Sequence, residues 1–149
     1  MLDNLIHLQN NLDYKFINQS FLEIALTHRS YSSEYGLKYC NERMEFLGDS
    51  ILSAVVASFL YSKYVNDDEG KLSQLKSQIV SAKNLSKWAK KIKLNEFILI
   101  SKSEELNGAR ERDALLCDSF EAIIGAIHLD GGFLVASDFV NKFLSAQKR

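Results

Sequence analysis

Apolar residues recur along this chain every three to four positions, and the pattern is helical almost throughout. Met1 to Phe16 predicts a first helix with Leu2, Leu5, Ile6 and Leu8 on its apolar side. Asn18-Gln19-Ser20 predicts a break, with Ser20 as N-cap of a helix over Phe21 to Leu26 and Glu23 at the capping-box position. Tyr31 to Tyr39 reads as a loop from its Ser and Gly content. The strongest signal starts at Asn41. Phe46, Leu47, Ile51, Leu52, Val55, Val56, Phe59 and Leu60 mark a long helix entering a core.

Asn66 to Gly70 predicts an acidic turn. Leu72, Leu75, Ile79, Leu85, Trp88, Ala89 and Ile92 then outline an amphipathic helix pair. Asn95 to Leu106 starts a new helix or turn. Phe97 to Ile100 alone could be a strand, but a strand without a partner is unstable. Asn107-Gly108 marks a turn, a second apolar helix ends at Asp130-Gly131-Gly132, and Phe133 to Ala146 forms a last helix with Phe139, Val140, Phe143 and Leu144 inward. The expected fold is all-α, with about seven to nine helices of ordinary length and no sheet beyond a stray pairing. The 149 residues fit one domain, and the complete lack of proline suits uninterrupted helices.

Charge changes the picture, because it is so unevenly placed. The net charge is only −1, so nucleic-acid binding would need a local patch. Lys71, Lys76, Lys83, Lys87, Lys90, Lys91 and Lys93 supply one, with no acid between Gly70 and Asn95. Solvated lysines and phosphate contact are both open readings of that run. Arg110 and Arg112 lie on a polar loop, where they could bind phosphate or pair with Glu104, Glu105 or Glu111. Cys40 and Cys117 lack metal or redox spacing and read as two reduced thiols in a cytoplasmic protein. No signal peptide and no membrane span is expected.

The acids carry the candidate chemistry. Glu42, Glu45 and Asp49 fall within roughly 60° of one another on the long helix, and the only basic residue between Asn41 and Ser62 is Arg43, which points elsewhere. Asp118 and Glu121 share a face with Ala122 and Gly125, and no Lys or Arg occurs from Asp113 through Asn141. That small-residue face, with Gly48 on the first helix, would let the two helices approach closely. Glu45, Asp49, Asp118 and Glu121 could then meet at one point. An all-oxygen cluster suits Mg²⁺ or Mn²⁺ better than Zn²⁺. The competing reading pairs these acids with the lysines. Glu69 reads as a solvated loop acid or a neighbour of the metal site. His28 reads as a cap or as a base, with no acid near it in sequence.

Asn41-Glu42-Arg43-Met44-Glu45-Phe46-Leu47-Gly48-Asp49-Ser50 resembles the defining motif of the ribonuclease III family. Asp118 to Ala126, followed by Leu129-Asp130-Gly131-Gly132, resembles its second acidic motif, and Ala25 to Ser30 fits in its expected place before the first. The likeness runs from about Tyr14 to Phe143. It implies an Mg²⁺-dependent endonuclease, with Mn²⁺ able to substitute, that cuts both strands of double-stranded RNA. Precursors of ribosomal RNA are the type of substrate. It also implies a homodimer with one centre per subunit, 5′-phosphate and 3′-hydroxyl ends, and no small-molecule cofactor. Glu45, Asp49, Asp118 and Glu121 correspond to the metal acids, Glu42 to an accessory acid, and Phe46 to an aromatic that docks into the partner. Lys71, Lys76, Arg110 and Arg112 are the candidate RNA contacts. Bacterial members usually continue into a double-stranded-RNA-binding domain, whereas this chain reaches Lys148-Arg149 where the linker would begin. Residues 1–149 are expected to be the nuclease domain alone. A non-catalytic RNA-binding or assembly module and a phosphohydrolase of small substrates are the competing classes. Retention of all four acids favours the nuclease.

Overall fold

The computed structural model describes residues 2–146. Met1 and the Leu2 side chain, assigned above to the first helix, lie outside the description, as does Lys148-Arg149. Nine α-helices occur among the described residues: α1 Leu2–Leu12, α2 Gln19–Leu26, α3 Arg29–Tyr35, α4 Glu42–Lys63, α5 Glu69–Ile79, α6 Ala82–Lys91, α7 Lys102–Leu106, α8 Asp113–Gly131 and α9 Phe133–Ala146. Single 3₁₀ turns at Leu94–Glu96 and Ala109–Glu111 flank α7. There is no named strand among the described residues, only an isolated parallel pairing of Thr27 with Leu99. The all-α expectation with a stray pairing holds.

Helix α8 is the axis, with α2, α4, α6 and α9 packed around it. Its apolar residues cover nearly the whole circumference: Leu116, Phe120, Ile123, Ile124 and Ile127 are all fully buried. A helix apolar all round has to lie inside. Phe120 meets Trp88 of α6 and Phe143 and Phe139 of α9, with ring centroids 5.2–5.9 Å apart, so one aromatic cluster joins three helices. Helix α4 is long and apolar enough to cross a membrane by length and composition. Here it is a core helix, with Leu52 and Val56 fully buried against its neighbours.

The closest approach is between α4 and α8. A Cβ on Gly48 would overlap the Glu121 backbone carbonyl, and a Cβ on Gly125 would overlap that of Met44. The two backbones therefore touch through paired glycines, as the small-residue faces implied. Beyond the crossing, Asp130 at the end of α8 ties down the loop after α1. It accepts from the Tyr14 hydroxyl at 2.5 Å and from the amides of Ile17 and Asn18 at 2.9 and 2.8 Å. Burial pulls the Asp130 carboxyl upward, but these three donors together hold it below its ordinary value.

Local capping differs from expectation in three places. Asn18, not Ser20, caps α2, by accepting from the Ser20 amide at 3.0 Å. The segment read as a loop begins inside α3, because His28 Nδ1 accepts the Ser30 amide at the start of that helix and Gly36 (φ 65°) closes its end. Asp68 caps α5, so Glu69 and Gly70 lie in a first helical turn.

Candidate metal centre

The glycine crossing places the acids. Glu45 and Asp49 sit on α4 either side of Gly48, while Asp118 and Glu121 sit on the facing turn of α8. The Glu45 and Asp118 carboxyls are hydrogen-bonded to each other, and Glu121 is hydrogen-bonded to Asp49. The four acids are thus two cross-helix pairs. Exposure grades inward: Asp49 and Glu42 are exposed, Glu45 and Asp118 half-buried, and Glu121 is only 7% exposed.

That grading sets the proton affinities. Burial raises Glu121 to about 9, reinforced by Asp49. Burial raises Glu45 to about 7, with Asp118, Glu42 and Asp49 adding like-charge repulsion. Asp118 is also raised, chiefly by burial, against the pull of its Glu45 bond and the His28 ring. Burial and mutual repulsion thus favour the protonated form at both Glu45 and Glu121. Lysines do not neutralise the acids: among the described ion pairs, Lys90 goes to Glu111 and Lys142 to Asp13.

A cation fits this donor set. Ligand atoms of Cys117, Asp118 and Glu121 lie within 4.8 Å of one another. Burial, then Glu121 and Asp118, push the Cys117 thiol up to about 12. The thiol is thereby held protonated, and the carboxylate oxygens of Asp118 and Glu121 are donors that suit a hard divalent ion. Glu45 and Asp49 stand beside this group and are not part of it.

The accessory candidates are placed as follows. Glu42 faces solvent and pairs with Arg29 at 3.5 Å, a surface contact of little energetic weight. His28 caps α3 and is near enough in space to act on Asp118, a neighbour its sequence surroundings did not reveal. Glu69 accepts from Ser73 at 2.7 Å and lines a groove of about 490 Å³ between α4 and α5 with Tyr61 and Lys76. Lys71 is exposed and Lys76 half-buried on α5. Arg110 donates to Glu105 at 2.8 Å and to the carbonyls of Asn95 and Ile98 at 2.9 and 2.7 Å, and Arg112 donates to Glu104 at 3.0 Å. The acid-pairing reading is the geometry seen for both arginines. Phe46 is 79% exposed beside the acids. Asp130 and Asn41 stand in the sequence motifs, but their hydrogen bonds to the loop after α1 and to the end of α2 were not foreseen there. Their polar atoms act on backbone groups distant in sequence, so no spacing signals them.

The pKa values make stability depend on pH. Glu45 and Glu121 both hold their protons above the ordinary 4.5. Between 4.5 and those values the folded chain keeps protons that the unfolded chain has released. Stability therefore falls as pH rises through that window, up to about 7 for Glu45 and about 9 for Glu121. In chelator, urea midpoints should drop between about pH 5 and pH 8.5 by an amount on the order of 2 kcal/mol, and saturating Mg²⁺ should reduce the drop. Midpoints that rise over this range in chelator would contradict the buried-acid assignment.

The structure is thus a helical bundle with a carboxylate cluster where two helices touch. The Ribonuclease-III-like family model matches residues 18–147. This chain belongs to the ribonuclease III family. It is 44% identical over 132 residues to ribonuclease 3 of Campylobacter jejuni serotype O:2, covering 89% of this chain and 57% of that protein. It is 47% identical over 131 residues to ribonuclease 3 of Borreliella afzelii, covering 87% and 54%. The chain thus spans little more than half the length of these relatives. Its fold matches the crystal structure of the nuclease domain of the C. jejuni ribonuclease III with a TM-score of 0.88, at 40% identity, over 98% of this chain and 99% of that one. A second structure of that C. jejuni domain, also at a TM-score of 0.88 and 42% identical over 93% of this chain and 94% of that one, is described as flexible in a region involved in dimer formation.

Proposed function

We propose that this chain is a divalent-metal-dependent endonuclease domain that hydrolyses phosphodiester bonds of double-stranded RNA, leaving 5′-phosphate and 3′-hydroxyl ends. The observation that carries this reading is the placing of Glu45 and Asp49 beside Asp118 and Glu121 at the glycine crossing, with no Lys or Arg paired to any of the four among the described ion pairs. When bound, Mg²⁺ or Mn²⁺ supplies the charge that stabilises the attacked phosphate and activates a water. Glu45, Asp49, Asp118 and Glu121 would hold it. These carboxylates must lose their shared protons to bind the ion, so ion affinity should rise with pH. Without an ion they repel the RNA backbone. Glu42, at the exposed rim, is the accessory acid. Lys71, Lys76 and the exposed lysines of α6 offer phosphate contacts. Arg110 and Arg112 would have to exchange their glutamate partners to join them.

Processing of structured precursors such as ribosomal RNA, in the cytoplasm, is the setting this reading supports. The direct test is cleavage of a labelled long duplex, expected in Mg²⁺ and absent in chelator. No cleavage in Mg²⁺ or Mn²⁺ would leave a binding module in its place. The same reading makes the chain a homodimer through Phe46, a large ring left 79% exposed at the edge of the acid face. Phe46→Ala should shift the sedimenting species towards monomer. A variant that sediments as the parent dimer would remove Phe46 from the interface.

A further inference from the structure

Asn41 stands at the N-cap of α4, where an asparagine side chain ordinarily accepts a hydrogen bond from its own helix. Here it makes no such cap. The side chain is buried, at 3% exposure, and its Nδ2 donates to the Ala25 carbonyl at 3.1 Å. Its backbone N–H donates to the Thr27 carbonyl at 2.9 Å. Its own carbonyl accepts the Glu45 amide at 2.9 Å. The intervening carbonyl, Leu26, is taken by the Leu99 amide at 2.9 Å. The end of α2 is therefore fully paired, and Asn41 takes two of its three carbonyls.

We propose that Asn41 is a positioning residue for the metal centre: it gives up capping its helix to fix the first turn of α4, and with it Glu45, against the end of α2. One backbone and one side-chain bond to the end of α2 determine where the turn lies, and Glu45 is the residue whose amide opens the intrahelical ladder on Asn41. The glycine crossing fixes α4 at Gly48, in the middle of the acid set. Asn41 fixes it again on the other side of Glu45. Between these two anchors Glu45 has little freedom to drift from Asp118. Groups behind metal ligands commonly govern affinity by setting ligand orientation. This inference rests on the metal reading proposed above.

The test separates placement from stability. Asn41→Ser restores a residue that caps helices well but is too short to reach Ala25. Leu8→Ala, at a fully buried position of α1, destabilises by a cavity in a helix that carries none of the acids. Mn²⁺ affinity is read without RNA, from the loss of the free-ion paramagnetic resonance signal, at a temperature where each full-length protein is folded by circular dichroism. Asn41→Ser is expected to weaken Mn²⁺ binding by about tenfold, while Leu8→Ala lowers the melting temperature and keeps affinity within about twofold of native. Asn41→Asp, which turns the donor into an acceptor facing Ala25, should weaken binding at least as much. Native affinity in Asn41→Ser, or equal weakening in Leu8→Ala, overturns the proposal, since either result makes the residue structural only. A native protein that binds no Mn²⁺ overturns it together with the metal reading. The expected affinities in a protein that cuts no duplex RNA uphold it and remove only the substrate assignment.

Discussion

Replacing Glu121 by glutamine is expected to slow duplex cleavage at least about a hundredfold in moderate Mg²⁺ while leaving the fold intact, since each 1.36 kcal/mol lost from the transition state costs about tenfold. The amide keeps the shape and one oxygen of the carboxyl but loses the charge that holds the ion. Glu121 is the most buried of the four acids, and its carboxyl rises to about 9 through burial and the bond to Asp49. At neutral pH without metal, the native chain must keep a proton there. Glutamine removes that requirement. In chelator, Glu121→Gln should therefore be at least as stable as native, and its stability should fall less as pH rises. High Mn²⁺ should recover part of the rate. Single-turnover cleavage at matched dimer concentration and urea melts in chelator measure the two effects. Equal rates for both proteins would falsify the catalytic role of Glu121. A loss of rate accompanied by unfolding would make its role structural.

The second large effect is expected at Gly48. Gly48→Ala would place a methyl group into the Glu121 carbonyl, which belongs to the backbone of a buried helix and cannot rotate away. The helices must separate, and overpacking of this kind costs about 3 kcal/mol. Gly125→Ala should act similarly through the Met44 carbonyl. Gly70→Ala is the internal control. A Cβ there meets only the Asp68 side chain, at 3.6 Å, in the first turn of α5. It should be neutral or stabilise by about 0.5–1 kcal/mol through lower backbone entropy in the unfolded chain. Urea midpoints of the three variants give the comparison. If Gly48→Ala matched the native midpoint, the close crossing would not exist in solution.

Much of this architecture was legible in the residues. The apolar positions of α4 and α8 run at helical spacing, and small residues beside unpaired acids implied a close approach. Gly48 and Gly125 do meet the opposite backbone. The competing reading, acids neutralised by lysines, finds no ion pair among those described. Less legible were features decided by distant partners. Tyr31 to Tyr39 has loop composition, yet its first half belongs to a helix whose two ends are supplied by His28 and Gly36. Ser20 and Asn18 are both capable caps, and the geometry chose Asn18. Phosphate contact and pairing with a loop acid both stood open for Arg110, because the carbonyls of Asn95 and Ile98 cannot be foreseen from composition. The inward gradation of the acids was equally hidden. Helical faces show which residues point together, but not how deeply water reaches between the helices.

The crossing of Gly48 with Gly125 also bears on the order of folding. Its two halves are separated by α5, α6 and α7, so the contact requires closure of a loop spanning about half the chain, a slow step relative to local helix formation. Repulsion between the acids of α4 and those of α8 enters only at that closure. A divalent ion that accelerates refolding would mark a crossing already made at the rate-limiting barrier. One that acts only by retarding unfolding would mark a crossing completed afterwards. The carboxylates thus act as a clock on the assembly of the bundle as well as a site upon it.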